Sequence, residues 1–226
     1  MGRNRGAICS LSTVKALSDA RDGQVLIRRP QERDADTLLA GSRDPLVREF
    51  MQGILTHTDR ESAVRWITEV APRLWDADRA AYFAVTLVAE GGPEDGGDDG
   101  DAPEDADGPA DVDGPTQEGG PAVGFAELVD LRPEEGAAEV SIWLLPEHRR
   151  MRTAASAMRL VCRFGFEELG LRRIDAYAAA ENMGVQVVGA SIGFRRTGFR
   201  PALFRSSRTQ ELHDAVYATL VPEDLC

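Results

Sequence analysis

The turn between residues 147 and 152 carries the side chains with the clearest chemical potential in this chain. Its sequence, EHRRMR, places Arg149, Arg150 and Arg152 just before a segment with helical spacing. The first amides of a helix have no partner inside it, so they bind anions well. Three cations there oppose the helix dipole unless an anion lies among them. The pattern predicts a site for a phosphate-bearing ligand, with an Arg-rich surface as the alternative.

Regular elements on both sides must position this turn. AEVSIWLLP, residues 138–146, has the pattern of a strand, and TAASAMRLVCRFGFEELG, residues 153–170, has apolar residues at helical spacing. The next segments, RRIDAYAAA at 172–180 and NMGVQVVGASIG at 182–193, predict a second strand and a second helix. The order strand, basic turn, helix, strand, helix places the turn at the end of a sheet.

The rest of the chain completes a mixed sheet. Asp59 predicts the N-cap of a long amphipathic helix, in which Pro72 predicts a kink. Further strands are predicted at 24–29, 80–89, 122–131, 194–200 and 213–221, and further helices at 32–44 and from 45. The fold class is therefore α+β, with helices packed on a central twisted sheet. Residues 1–23 read as a flexible extension outside the core, followed by a single domain over 24–225.

An acidic segment interrupts this domain between the strands at 80–89 and 122–131. Residues 90–121 contain 12 Asp and Glu, 9 Gly and 5 Pro, without Lys, Arg or aromatic residues. Such a composition cannot bury a core, so the segment is predicted to be a disordered insert in place of a hairpin turn. A lure for cationic substrates or a tether for a partner remain alternatives.

Composition excludes several classes of function. The net charge of −12 comes from the acidic insert, since the other residues hold 26 acidic against 26 basic side chains. A chain without a positive surplus is not expected to bind nucleic acid through its phosphates. No apolar run is long enough for a membrane span or a signal peptide. Three scattered cysteines predict neither a disulfide framework nor a metal site, which favours a cytoplasmic setting.

The segments around the basic turn resemble the GNAT superfamily of acyl-CoA N-acetyltransferases, and more narrowly its RimJ/RimL branch. The resemblance rests on the strand at 138–145, the turn, its helix and ENMGVQVVGASIGFRRTGF, and extends to VLIRRPQERDADTL and YATLVPEDL. It implies a mostly antiparallel mixed sheet with a splayed central strand pair and helices on both faces. It also implies acetyl-CoA as co-substrate and an amine as acceptor, with the protein a monomer or homodimer.

The resemblance also assigns residues to the cofactor. It implies that the backbone of the splayed strand pairs with pantetheine, that amides of residues 149–154 cradle the pyrophosphate, and that Asn182 lies near the cofactor arm. The implied cofactor-binding residues are Trp143, Leu144, Leu145, Arg149, Arg150, Met151, Arg152, Thr153, Ala154 and Asn182. Arg150 and Arg152 occupy positions where the family has glycine. Their guanidinium groups either contact phosphate or obstruct the glycine cradle.

Acyl transfer to an amine requires a neutral amine, and a carboxylate can supply the base. Glu139, at the strand entry, matches an acidic position common in the resembling branch and is the first candidate. Glu127 on the preceding strand and the pair Asp175 and Tyr177 on the next are the alternatives. Val185 stands where the family has a serine that could protonate the thiolate, so no general acid is predicted.

Two functions follow from these observations. The first is an acetyl-CoA-dependent N-acetyltransferase that acts by direct attack of a primary amine, on a peptide N-terminus or a small molecule. The second is a catalytically impaired GNAT-like module that binds CoA or a partner, as the replaced glycines and Val185 suggest.

Overall fold

One twisted sheet organises the molecule. The computed structural model describes residues 9–14, 21–51, 57–88 and 119–226. Its strands are β1 Arg21–Asp22, β2 Val25–Arg28, β3 Ala81–Leu87, β4 Ala122–Arg132, β5 Ala137–Leu144, β6 Arg173–Ala179, β7 Arg195–Arg205 and β8 Leu212–Leu220. They lie in the order β1-β2-β3-β4-β5-β6-β8-β7, antiparallel except for the pair β5 and β6. The predicted α+β class, with a mostly antiparallel mixed sheet, is confirmed.

Helices cover both faces of the sheet. They are α1 Ala35–Arg43, α2 Pro45–Phe50, α3 Arg60–Arg65, α4 Ala71–Asp76, α5 Met151–Glu167 and α6 Met183–Ser191. Strand alternation divides the core: Phe83 lies in the cluster with α5, whereas the neighbouring Ala84 lies in the cluster with α1 and α3. A π-helical turn at Trp66–Val70 joins α3 and α4. It ends two residues before Pro72, which has no N–H to continue the α-helical ladder, and it is the irregularity found where Pro72 predicts a kink.

A buried ion pair ties the start of the domain to the middle of the sheet. Arg28 at the end of β2 binds Asp34 through two parallel bonds of 2.6 and 2.8 Å. The Asp34 carboxylate also accepts the amides of Gln31 at 2.8 Å and Ala122 at 3.0 Å. Asp34 is fully buried, and its oxygens bind both the guanidinium and two amides. The pair therefore fixes β2, α1 and the first residue of β4 relative to one another.

Part of the predicted N-terminal extension packs on the core. Leu11 is 1% exposed and belongs to the cluster beneath α5. Its carbonyl accepts the indole N–H of Trp75 at 2.8 Å, and Ser10 donates to Asp78 at 2.8 Å. This corrects the expectation that residues 9–14 lie outside the core. Leu11 is a single leucine in a polar segment, so no periodic pattern predicts that it is buried.

The acidic insert falls almost entirely outside the described residues. β3 ends at Leu87 and β4 begins at Ala122, and the two strands pair antiparallel. The predicted strands on either side of the insert are therefore neighbours, as a hairpin connection requires. Residues 90–118, and the prediction of disorder for them, lie outside what the structure describes.

Candidate active site

The pair β5 and β6 is splayed, and Glu139 marks the vertex. The parallel ladder has three pairs, ending at Glu139 and Asp175. Beyond this point β5 remains paired to β4 and β6 remains paired to β8, so a gap opens between the two strands. A cavity of about 860 Å³ occupies the region, with walls from β4, β5, β6, β8, α2, α5 and α6. The splayed central pair predicted from sequence is present.

The basic turn lies at one end of the cavity. The Arg149 and Arg150 amides donate to Pro146 and His148, and the Ala154 amide donates to Arg150. Among the described residues, no acceptor faces the amides of the first three residues of α5, which are Met151, Arg152 and Thr153. Of the segment 149–154 implied by the resemblance, only these three amides are available for an anion.

The three arginines of the turn have different surroundings. Arg149 binds the Asp44 carboxylate at 2.5 Å and the Leu144 carbonyl at 2.9 Å, so it connects the turn to α2 and β5. Arg150 and Arg152 are exposed, and neither has an ion pair within the described residues. Arg150 has φ −100° and Arg152 lies in α5, outside the left-handed region that favours glycine. Arginine at these two positions therefore causes no backbone strain.

The strand segment named for pantetheine lines the same cavity in part. Trp143 and Leu144 belong to its wall, whereas Leu145 does not. The Trp143 ring stacks on Phe125 at 5.3 Å and packs against α1, where a Cβ at Gly41 would lie 2.2 Å from the ring. The Leu144 carbonyl is already bound by Arg149. The side chain of Trp143 thus has a packing role, and the free backbone along the gap belongs to residues beyond Glu139.

Asn182 begins helix α6 at the opposite wall of the cavity. Its side-chain oxygen accepts the Val185 amide at 3.5 Å, as an N-cap residue does. Its neighbour Gln186 donates to the Ala180 carbonyl at 2.9 Å. The helix predicted for 182–193 is present as Met183–Ser191. Asn182 also lines the cavity, and its contact with the cofactor arm stays a prediction.

Carboxylates gather at the other end of the cavity, where Glu139 has an unusual environment. Burial raises the pKa of Glu139 to about 7, and the charges of Asp130 and Glu127 add to this, while Arg132 opposes it. Within the described residues no side chain forms a hydrogen bond or ion pair with Glu139. A carboxylate that titrates near neutral pH and faces a cavity is suited to accept a proton.

The alternative candidates for the base are already engaged. Glu127 accepts a hydrogen bond from Ser141, and burial raises its pKa. Asp175 binds Arg132 at 2.6 Å and accepts the Thr219 hydroxyl at 3.0 Å. Burial raises the pKa of Tyr177 to about 12, so its hydroxyl keeps its proton. Of the three candidate carboxylates, Glu139 is the one with no side-chain hydrogen bond or ion pair within the described residues, and its role as the base stays a prediction.

Two features of the site were not predicted from the sequence. Asp130 and Arg132 lie on a bulge of β4 beside Glu139. In α2, the buried Glu49 binds Arg208 at 2.6 Å and His213 at 3.0 Å, which joins this helix to β8 and to the β7–β8 connection. Neither pairing carries a local sequence signal, because the partners of Glu49 lie more than 150 residues away along the chain.

The family model for the acetyltransferase (GNAT) domain matches residues 24–195. The chain therefore belongs to the GNAT acetyltransferase family, whose co-substrate is acetyl-CoA. The resemblance read from the turn and its neighbouring elements is confirmed.

Solved structures share this fold at low sequence identity. The RimL ribosomal L7/L12 alpha-N-protein acetyltransferase in complex with coenzyme A aligns with TM-score 0.67 and 11% identity, over 88% of this chain and 95% of its own. A spermidine N-acetyltransferase from Vibrio cholerae in complex with CoA and spermine aligns with TM-score 0.66 and 14% identity, over 90% and 98%. Mycobacterium smegmatis RimJ in complex with CoA-disulfide aligns with TM-score 0.63 and 19% identity, over 89% and 83%. No curated protein matches the sequence.

The described residues provide neither a metal-binding cluster nor a membrane-spanning helix. They contain no group of three or more His, Cys, Asp and Glu side chains that could hold a metal ion. No helix among them has the length and apolar character needed to cross a membrane.

Proposed function

We propose that the protein transfers the acetyl group of acetyl-CoA to a primary amine by direct attack, with Glu139 as the base. The observation that carries this proposal is the position of Glu139 at the vertex of the splayed strands, in the cavity that begins at the basic turn. One end of this cavity has cations and free amides, and the other has carboxylates. This division matches a phosphorylated donor at one end and an amine at the other.

The residues of the turn and of β5 fit the co-substrate. The amides of Met151, Arg152 and Thr153 would hold its pyrophosphate, with the guanidinium groups of Arg150 and Arg152 as further donors. The edge of β5 beyond Glu139, which no longer pairs with β6, would bind pantetheine. This edge includes Trp143 and Leu144, and Leu145 follows it. Asn182 would contact the same arm from α6. Acetyl-CoA supplies an activated acetyl group as a thioester.

Glu139 then has a defined task. The Glu139 carboxylate accepts a proton from the ammonium form of the acceptor, and the neutral amine then attacks the thioester. As the nitrogen–carbon bond forms and the carbon–sulfur bond breaks, the nitrogen releases its second proton to water. The departing thiolate takes a proton from water. A lysine-like amine requires about 4.6 kcal/mol to be neutral at pH 7, whereas a peptide N-terminus requires about 1 kcal/mol. The base is therefore more important for a lysine-like acceptor.

The acceptor classes come from the chemistry of the site and from the neighbours. Glu127, Asp130 and Glu139 line the acceptor end, so it favours a cation. The two structural neighbours named for their acceptors act on a ribosomal protein and on spermidine. A protein N-terminus and a small polyamine are accordingly the two acceptor classes that we propose, in a cytoplasmic protein.

Arg150 and Arg152 provide a test of the donor end. If their guanidinium groups bind phosphate, replacing both with Gly weakens CoA binding by about 1.5–3 kcal/mol per lost contact. High salt then weakens binding by the parent protein as well. Titration calorimetry measures both effects, with the exposed Arg73 and Arg79 changed to Gln as a charge-matched control. Tighter CoA binding by the double-glycine variant would show that the arginines obstruct the cradle.

Calorimetry with acetyl-CoA also separates the enzyme from a binding module. The replaced glycine positions and Val185 favour the module as the second candidate. We expect micromolar binding of acetyl-CoA together with turnover on a panel of amines. Binding without turnover on any amine supports the module, and the absence of binding contradicts the proposed function.

A further inference from the structure

Glu139 lies between two carboxylates that share one guanidinium group. Asp175 is its partner in the parallel ladder with β6. On its other side Glu139 pairs with Val129 of β4, and Asp130 follows directly. Arg132 binds Asp175 at 2.6 Å and also forms an ion pair with Asp130. The same side chain therefore holds both carboxylates that flank Glu139. It also pairs with Glu135 at 3.4 Å, so its single charge offsets these carboxylates only in part.

The backbone of β4 is shaped to bring Arg132 to this face. The pairs Val129 with Glu139 and Arg132 with Ala137 differ by one residue in register, so β4 contains a bulge between them. Paired residues point to the same face of a sheet, and alternate residues share that face. Without the bulge Arg132 would point to the opposite face from Glu139, and with it they share a face.

The bulge requires an unfavourable backbone conformation at Asp130. Its φ is 47°, in the left-handed region that residues other than glycine rarely adopt. Aspartate tolerates this region better than most residues because its short side chain can bond locally. Strained backbone of this kind tends to persist at functional sites. Asp130 thus keeps an unfavourable backbone conformation in the bulge that brings it together with Arg132.

The charged groups around Glu139 have opposing effects on its pKa. From β4, Glu127 and Asp130 raise the pKa of Glu139 and Arg132 lowers it, after the larger effect of burial. From β6, Asp175 raises it, and Tyr177 remains protonated. Arg173 is the second cation on Asp175, at 3.0 Å, but its side chain is 41% exposed. Within the described residues that act on Glu139, Arg132 is thus the cation that offsets the carboxylates.

We propose that Arg132 is a positioning residue for acetyl transfer: by holding Asp130 and Asp175 beside Glu139 it favours the carboxylate form of the base. The inference rests on the proposed function of Glu139 as the base. It adds a residue of β4 to the machinery of the site, one that contacts neither amine nor thioester and acts through the carboxylates beside the base.

Arg132→Met tests this inference, because methionine preserves much of the length of the side chain without the charge. Carboxyl ¹³C NMR gives the titration midpoint of Glu139, assigned by its disappearance in Glu139→Gln. We expect the midpoint to rise by about 0.5–1 pH unit in Arg132→Met. The acid limb of kcat/KM should move upward by the same amount, with activity recovered at high pH. Arg173→Met, which leaves Asp130 paired, is the matched control and should move the midpoint by less than half as much.

Asp130→Asn gives the opposite sign and keeps the test informative if Arg132→Met fails to fold. Removal of this carboxylate should lower the Glu139 midpoint, again by about 0.5–1 pH unit. Midpoints unchanged in the folded variants would overturn the inference. A midpoint that moves while the pH dependence of kcat/KM stays fixed supports the link between Arg132 and Glu139, and contradicts instead the assignment of Glu139 as base.

Discussion

Glu139→Gln is expected to lower kcat by about 100-fold, because the amide can no longer accept the proton of the amine. Its affinity for CoA should stay near that of the parent, since the change lies outside the phosphate-binding end. The parent rate should rise with pH through about 7, the pKa to which burial raises the Glu139 carboxyl, and the variant should lose this rise. Steady-state kinetics between about pH 6 and pH 9 measures all three effects.

Glu134→Gln is a suitable control, because this carboxylate is exposed and lies on the turn between β4 and β5. It should leave kcat unchanged. Turnover by Glu139→Gln equal to that of the parent would transfer the role to Glu127 or to water.

The same substitution should stabilise the fold at alkaline pH. The pKa of the Glu139 carboxyl is about 7 in the folded state against an ordinary value of 4.5. Between these values the folded state binds the proton more strongly, so stability decreases as the pH rises from 4.5 to 7. Glutamine carries no such penalty, so above pH 7 the variant should be more stable by up to about 3 kcal/mol. The melting temperatures of Glu139→Gln and the parent are compared at pH 8 and at pH 4. A difference between the two proteins that is the same at both pH values would contradict the raised pKa.

Asp34→Asn is expected to destabilise the fold by about 3–5 kcal/mol, because it breaks a buried ion pair. The asparagine is neutral and cannot accept both guanidinium bonds of Arg28 and the two amides, so the buried pair of Arg28 and Asp34 is lost. Chemical denaturation measures the loss as a lower midpoint with unchanged slope.

Asp36→Asn is the matched control for this change. Asp36 lies two residues further along, its side chain is 73% exposed, and its ion pair with Arg60 is 3.3 Å long. Exposed pairs contribute at most about 1 kcal/mol, so this variant should resemble the parent. A loss below about 1 kcal/mol in Asp34→Asn would mean that the buried pair is not what holds β2, α1 and β4 together.

The sequence predicted the elements around the turn because each has a strong local signal. Alternation marks β5 and β6, helical spacing marks α5, and Asn182 is a good N-cap residue for α6. The splayed pair followed from the resemblance, and the register of β5 and β6, which ends at Glu139 and Asp175, shows it. Boundaries were less accurate: α5 begins at Met151, two residues before the predicted start.

The remaining features depend on contacts between distant residues. Arg149 has the sequence context of a phosphate ligand, but folding brings Asp44 beside it and the two form an ion pair. The approach of Arg132 to Glu139 depends on a one-residue bulge, which changes the face of the sheet to which a side chain points. Alternation read along a strand cannot reveal such a shift. For this reason the sequence identified Glu139 but not Arg132, whose charge partly offsets the carboxylates beside it.

The most direct test of the proposed function is release of the CoA thiol from acetyl-CoA in the presence of primary amines. We predict amine-dependent release with at least one N-terminal peptide or polyamine, accompanied by the acetylated amine in equal amount and reduced about 100-fold in Glu139→Gln. Tight binding of acetyl-CoA with no amine-dependent thiol release on either class of acceptor would contradict the proposal.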